Sequence, residues 1–81
     1  MVDRSDKDFQ RLRWQCRRGL LELDCIFEDY LDQRYPGASE EEQHQFRELL
    51  KEQDPDLQAW LLHGETCPRE FHAIVRVLQG A

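Results

Sequence analysis

The residue types best suited to chemistry lie together in the run Arg17-Arg18-Gly19-x-x-Glu22, with Asp24 two positions further on. A guanidinium binds a carboxylate or a phosphate through two parallel hydrogen bonds, so Arg18 is suited to recognising another molecule. Glu22 and Asp24 could exchange protons, but acid–base catalysis needs an enclosed cleft that sets their pKa values, and a short chain has little interior for one. The sequence also lacks a phosphate-binding glycine loop, a G-x-S-x-G motif and an H-E-x-x-H motif. We therefore predict a recognition protein with no enzyme activity and no catalytic residues.

The same run also has a purely architectural interpretation, as a corner between two helices. Apolar residues recur at helical spacing on both sides of Gly19, which can adopt the left-handed conformation that ends a helix. We predict that Arg17 and Arg18 lie in the last turn of the first helix, where cations complement exposed carbonyls, and that Glu22 lies in the first turn of the second. For Arg18, capping its own helix is the alternative to contacting a partner. Replacement of Arg18 or Glu22 by alanine is expected to leave folding intact.

Trp14 departs from the apolar stripe of the first helix. Leu12 and Cys16 belong to that stripe at about 100° per residue, whereas Trp14 projects to the other side, between Arg11 and Arg18. A large aromatic side chain flanked by arginines has the composition of an interface anchor. Coverage of Trp14 by a later helix is the alternative, and the residues alone leave both interpretations open.

Capping and termination signals divide the chain into five short helices. The predicted landmarks are a first helix from near Ser5 or Asp6, a second over about residues 20–35, a third after the capping box at Ser39, a fourth with Asp54 as its N-cap, and a last one opened by Pro68. Short helices with brief connections predict an all-α fold, a small antiparallel bundle that forms a single domain over residues 1–81. Trp60 lies on the apolar stripe of the fourth helix, so we assign it, unlike Trp14, to the core.

The composition narrows the class of partner. A net charge of -6 removes the usual electrostatic basis for binding nucleic acid or an anionic membrane surface. No apolar run is long enough to span a bilayer, and residues 1–6 differ from a secretory or transit peptide, so we predict a cytoplasmic protein without direct membrane insertion. The three cysteines and three histidines lack the paired spacing of a zinc site, so no metal site is predicted and buried free thiols are expected.

The run Arg18-Gly19-x-x-Glu22 resembles the RGxxE motif of the small assembly factors that promote covalent flavin attachment in succinate dehydrogenase. The resemblance continues in order along most of the chain, through the segments Trp14-x-Cys16-Arg17-Arg18-Gly19, Glu22-Leu23-Asp24, Asp54-Pro55-Asp56-Leu57 and Trp60-Leu61. RGxxE alone is common by chance, but the ordered set in a chain of this size is far more specific. The chain is therefore similar to the flavinylation-factor family over most of its length.

The resemblance implies a dedicated chaperone for the flavoprotein subunit of succinate dehydrogenase, with the related fumarate reductase as a second candidate client. In that family FAD becomes linked through its 8α-methyl carbon to a histidine of the partner, largely by the partner's own chemistry, while the factor holds the partner in a favourable geometry. The residues that the resemblance places at the partner are Arg18, Gly19 and Glu22, with Trp14, Arg11 and Asp24 beside them. We expect the isolated chain to be a monomer that binds no FAD tightly. The alternative function is a generic helical protein-interaction module, such as an antitoxin-like partner.

Overall fold

The computed structural model describes residues 7–80, and every regular element in that range is helical. The elements in chain order are α1 (Lys7–Cys16), α2 (Leu21–Gln33), a 3-10 helix (Tyr35–Gly37), α3 (Glu40–Leu49), α4 (Asp54–Leu61), a second 3-10 helix (Arg69–Phe71) and α5 (His72–Gly80). The predicted all-α bundle of five short helices is confirmed. The predicted start of the first helix, at Ser5 or Asp6, lies outside the described residues.

Helix α2 is central to the bundle and contacts α1, α4 and α5. Its inward face carries four almost completely buried side chains, Leu23, Phe27, Tyr30 and Leu31. Phe46 of α3 packs on this face, with its ring centroid 4.5 Å from that of Tyr30 and 6.1 Å from that of Phe27. Helices this short are not stable alone, so the burial of this apolar face is what keeps them folded. Burial of this face therefore fixes the position of α2, whose first turn forms the second half of the predicted corner.

Helix starts follow the predicted capping chemistry at α3 and shift by one residue at α4. Ser39 is the N-cap of α3, and its hydroxyl accepts a hydrogen bond from the Glu42 amide at 3.1 Å, as predicted. At α4 the N-cap is Gln53, and Asp54 is the first helical residue. The predicted capping role of Asp54 is thus wrong, because its carboxylate accepts a hydrogen bond from Arg18 instead.

Two helices end earlier than predicted. Helix α1 ends at Cys16, so Arg17 and Arg18 lie beyond it rather than in its last turn. The Arg17 amide donates to the Trp14 carbonyl at 3.1 Å, a bond one residue shorter than the α-helical one, and the helix tightens and stops there. Helix α2 ends at Gln33, and the residues that follow turn into the first 3-10 helix.

The C-terminal elements close the core against α4. Trp60 is buried, as predicted, and its ring centroid lies 5.8 Å from that of Phe71. Pro68 precedes the 3-10 helix Arg69–Phe71, and α5 itself begins later than predicted, at His72. Proline fixes the backbone for a tight first turn, which here is completed as a 3-10 turn before the α-helix is established.

The cysteines are free thiols, with Cys16 and Cys67 buried and Cys25 exposed. Within residues 7–80, no group of three or more His, Cys, Asp or Glu side chains could hold a metal ion. In the same part of the chain, no helix has the length and apolarity needed to cross a bilayer.

Candidate partner-binding surface

The predicted recognition residues lie at or next to the α1–α2 corner, which we define as residues 14–24. Gly19 has a φ of +77°, in the left-handed region that favours glycine, so its predicted conformation is confirmed. A Cβ placed on Gly19 would have no atom within 4 Å. In the isolated chain, position 19 therefore favours glycine because of its backbone conformation and not because of crowding. The open space leaves the backbone of Gly19 accessible to another molecule.

The side chain of Arg18 turns inward and is only 15% exposed. Its guanidinium donates to the carbonyl of Leu50, to the carbonyl of Glu52 at 3.1 Å and to the carboxylate of Asp54 at 3.0 Å. Its Nε donates to the carbonyl of Gln15 at 2.9 Å. Arg18 thus bonds the corner to the connection between α3 and α4, 32 to 36 positions further along the chain.

This network revises the expectation for Arg18. The predicted cap on its own helix is present, since Nε binds the Gln15 carbonyl, but the same guanidinium also satisfies carbonyls at the end of α3. Alanine at this position would leave those carbonyls without their donor, so its replacement should cost stability. Direct contact of Arg18 with a partner stays a prediction, and in the isolated chain most of its hydrogen-bonding capacity is already engaged.

Asp24 holds the corner from its other side. Its Oδ1 accepts a hydrogen bond from the backbone amide of Arg18 at 2.8 Å, across the turn at Gly19. Asp24 lies in the first turn of α2 and is half-buried, at the edge of the apolar stripe. A carboxylate that accepts from a backbone amide makes a strong, charge-assisted bond. Arg18 is therefore fixed through both its main chain and its side chain, and the intervening turn has little freedom.

Two ion pairs orient α1 and its extension against α2. Arg13 binds Asp32, and Nε of Arg17 lies 3.1 Å from Oε1 of Glu28. All four side chains are partly exposed, so each pair contributes at most about 1 kcal/mol. Their main effect is to set the angle at which the two helices meet.

The large apolar side chains that the described residues expose are Trp14, at 74%, and Leu21, at 79%. No later helix within residues 7–80 covers Trp14, so the alternative of coverage is wrong for the described residues, and the role of Trp14 as an interface anchor stays a prediction. The residues predicted from the sequence do not include Leu21. It lies off the apolar stripe of α2 just as Trp14 lies off that of α1, so the same criterion would have found it. Large aromatic side chains are enriched in protein-binding surfaces, so Trp14 is the stronger of the two as a candidate anchor.

Of the four charged side chains predicted for this surface, Glu22 and Arg11 are exposed, whereas Arg18 and Asp24 are half-buried. Glu22 lies in the first turn of α2, as predicted, and its side chain forms no hydrogen bond or ion pair with another described residue. Arg11 lies one turn before Trp14 on α1, so the two side chains share a helix face. The carboxylate of Glu22 is thus available to a group on another molecule.

Cys16 lies on the inner side of the corner. It is completely buried, and burial raises the pKa of its thiol to about 12. Almost no thiolate is present at neutral pH, and the thiolate is the reactive form of cysteine. Cys16, which belongs to the segment Trp14-x-Cys16-Arg17-Arg18-Gly19, therefore acts as a packing residue and not as a nucleophile.

The described residues form a helical bundle in which the α1–α2 corner exposes Trp14 and Glu22 and is held by the bond from the Arg18 amide to Asp24. Residues 10–81 match the family described as "flavinator of succinate dehydrogenase", named Sdh5, and the chain belongs to this family. The resemblance identified from the sequence is thereby confirmed.

Similar proteins named FAD assembly factor SdhE occur in several bacteria. The protein from Idiomarina loihiensis is 52% identical over 79% of this chain and 71% of its own length. The protein from Colwellia psychrerythraea is 44% identical, over 84% of this chain and 76% of its own length. The protein from Pseudomonas aeruginosa is 35% identical, over 91% of this chain and 89% of its own length. No solved structure matches the chain.

Proposed function

We propose that this chain binds the flavoprotein subunit of succinate dehydrogenase through the α1–α2 corner and promotes covalent attachment of FAD to that subunit. Membership of the flavinator family and similarity to proteins named FAD assembly factors support this proposal. The observation that carries it is the exposure of Trp14 and Glu22 on the two sides of a turn that is hydrogen-bonded in place. The related subunit of fumarate reductase is a second candidate client.

The proposed mechanism is positioning of the partner. In this scheme FAD would be held by the flavoprotein subunit, and the chemistry of its attachment would belong to that subunit. Trp14 buries its indole against the partner as an anchor, and Leu21 extends the apolar contact. Glu22 donates no proton in this scheme; its carboxylate accepts a charge-assisted hydrogen bond that loses its water in the complex. By holding the partner in one arrangement, the chain lowers the entropic part of the barrier and places a fixed charge before reaction begins.

The rigidity of the corner favours such a complex. Binding costs free energy whenever loops and side chains must become ordered. The bonds from Arg18 to Asp24 and to the connection between α3 and α4 already order the corner in the free chain, so less ordering remains to be done on binding. A net charge of -6 also favours approach to a basic surface of the partner, mainly through the rate of association.

We also propose that FAD is not held tightly by this chain. Diphosphate groups bind well at helix N-termini whose free amides and dipole face the anion. Here the first turns of α2, α3 and α4 all carry acidic residues, which repel a phosphate from those ends. The chain's residues therefore suit contact with a protein better than contact with the dinucleotide.

The test of the proposed function expresses the flavoprotein subunit with and without this chain and measures flavin that remains bound after acid denaturation. The proposal predicts a large increase in acid-stable flavin when the chain is present. If the chain co-purifies with the subunit while its flavin content is unchanged, the chain is a generic helical interaction module. If neither binding nor flavin attachment is detected, the proposed function is wrong.

A further inference from the structure

Asp54 lies outside the RGxxE-type run, in the segment Asp54-Pro55-Asp56-Leu57, yet it touches the corner. Its Oδ1 lies 3.0 Å from Nη1 of Arg18. The other acid in the first turn of α4, Asp56, is exposed, and its side chain forms no hydrogen bond or ion pair with another described residue. Two acids at the start of one helix therefore have different surroundings, and only Asp54 is connected to the candidate surface.

The carboxylate of Asp54 matters to Arg18 because the other acceptors of that side chain are neutral. Arg18 is 15% exposed, and its remaining partners are the backbone carbonyls of Gln15, Leu50 and Glu52. A cation withdrawn from water to this degree needs an opposite charge as well as dipoles. Asp54 supplies that charge, and its replacement by a neutral residue would weaken the hold on the guanidinium while the bonds to the carbonyls remain.

We propose that Asp54 is a positioning residue for the α1–α2 corner: through Arg18 it holds the turn at Gly19 in the shape that presents Trp14 and Glu22. The inference rests on the proposed function for the identity of the partner, whereas the hold on the turn is a property of the isolated chain. Asp54 does not touch the partner in this scheme. It raises the fraction of molecules whose corner is in the binding shape, and the apparent affinity follows that fraction.

The isolated chain provides the first test, with Asp56→Asn as a matched control for Asp54→Asn. Both substitutions remove one charge from the first turn of α4, so they share the loss of the helix-dipole interaction. The amide of Arg18, which donates to Asp24, reports directly on opening of the corner. We expect the hydrogen exchange of this amide to be about three- to tenfold faster in Asp54→Asn than in Asp56→Asn. The reason is that Asp54 belongs to the same coupled polar network as the amide.

A second variant separates positioning from general loss of stability. In an Arg18→Gln background, Asp54→Asn should cause no further acceleration of that amide, because the ion pair between the two side chains is already absent. The amide of Gln43, which donates to Ser39 at the start of α3, serves as a distant reference and should exchange alike in both charge variants. Equal acceleration at Gln43, or an undiminished effect of Asp54→Asn beside Arg18→Gln, would overturn the inference.

The partner provides the second test. We expect Asp54→Asn to weaken binding to the flavoprotein subunit about three- to tenfold, and Asp56→Asn to leave it within about twofold. Equal affinities would overturn the inference while leaving the proposed function intact. If the wild-type chain itself fails to bind the subunit, the proposed function fails, and the exchange of the Arg18 amide still decides whether Asp54 holds the corner.

Discussion

The backbone amide of Arg18 donates a hydrogen bond to Oδ1 of Asp24 at 2.8 Å, across a turn in which Gly19 has a φ of +77°. Arg18 is thus held by its main chain while its own side chain is held by the connection between α3 and α4. Glu22, between the two partners in sequence, remains exposed. The corner therefore divides into residues that hold the turn, Arg18 and Asp24, and residues that are free to meet another molecule.

Replacement of Arg18 by alanine should destabilise the fold. The variant lacks the charge-assisted hydrogen bonds of a mostly buried guanidinium, so we expect the free energy of unfolding to fall by about 2–3 kcal/mol. The unfolding free energy of Arg18→Lys should lie between those of the wild type and Arg18→Ala, because lysine keeps the charge but lacks the planar guanidinium that makes several directed hydrogen bonds. The exposed Arg11→Ala is the control and should change stability by less than about 0.5 kcal/mol. Urea denaturation measures all three; equal midpoints for Arg18→Ala and Arg11→Ala would show that the network contributes nothing.

The two tryptophans should respond differently to truncation. Trp60 is buried against Phe71, and Trp60→Ala should cost roughly 3–5 kcal/mol of unfolding free energy. Trp14 is 74% exposed, and Trp14→Ala should stay within about 0.5 kcal/mol of the wild type while weakening partner binding. Denaturant unfolding and a binding titration with the flavoprotein subunit check both halves. A Trp14→Ala protein that unfolds as readily as Trp60→Ala would place the indole in the core.

Gly19 can be tested against Gly64, which shares its backbone conformation away from the corner. Their φ values are +77° and +68°, and a Cβ at either position meets no atom within 4 Å. Gly19→Ala and Gly64→Ala should therefore lose a similar stability, about 1 kcal/mol each. Only Gly19→Ala should also reduce covalent flavin attachment, because only there would a methyl group stand between the chain and its partner. Equal activity of the two variants would mean that the Gly19 turn is not approached closely.

Alkaline pH should weaken the fold partly through Cys16. Burial raises the pKa of its thiol from 9.0 to about 12, so the unfolded chain releases this proton at lower pH than the folded one. The stabilisation is complete below about pH 9 and is lost between pH 9 and pH 12, at up to about 1.4 kcal/mol per pH unit. Cys16→Ala should show a shallower fall in unfolding free energy between pH 9 and pH 10 than the wild type. Identical slopes would show that the thiol titrates alike in both states.

Much of the fold could be predicted from local patterns, because caps and apolar spacing act within one helix. Ser39 and Trp60 behave as their neighbours in sequence indicate. The distant partners of the Arg18 side chain, Leu50, Glu52 and Asp54, could not be predicted, since they lie 32 to 36 positions away and come close only through packing of the helices. The hydrogen bond from Arg18 to Asp54 also explains why the predicted N-cap role of Asp54 is wrong, because the Asp54 carboxylate binds Arg18 instead of capping its helix.

The different surroundings of the two acids near the start of α2 could be predicted from the apolar stripe. Asp24 lies at the edge of the stripe, which predicts a partner such as an arginine or an exposed amide, whereas Glu22 points away from it. The structure identifies that partner as the backbone amide of Arg18 and shows that Glu22 is exposed. Leu21 is not among the predicted residues, although its position off the apolar stripe of α2 can be read from the sequence and the structure shows it exposed.

Glu41 provides the matched control for the proposed contact between Glu22 and the flavoprotein subunit. Each is an exposed acid at the second position of its helix, α2 or α3, so alanine should cost each about the same 0.3–1 kcal/mol of stability. The decisive measurement is the acid-stable flavin content of the subunit expressed with Glu22→Ala or with Glu41→Ala. We predict full attachment with Glu41→Ala and little with Glu22→Ala, because truncating one partner of a desolvated charge pair typically costs about 2–5 kcal/mol of binding, roughly 30-fold or more in affinity. A folded Glu22→Ala chain that gives full flavin attachment would contradict the proposed contact of Glu22 with the subunit and leave the corner with a structural role only.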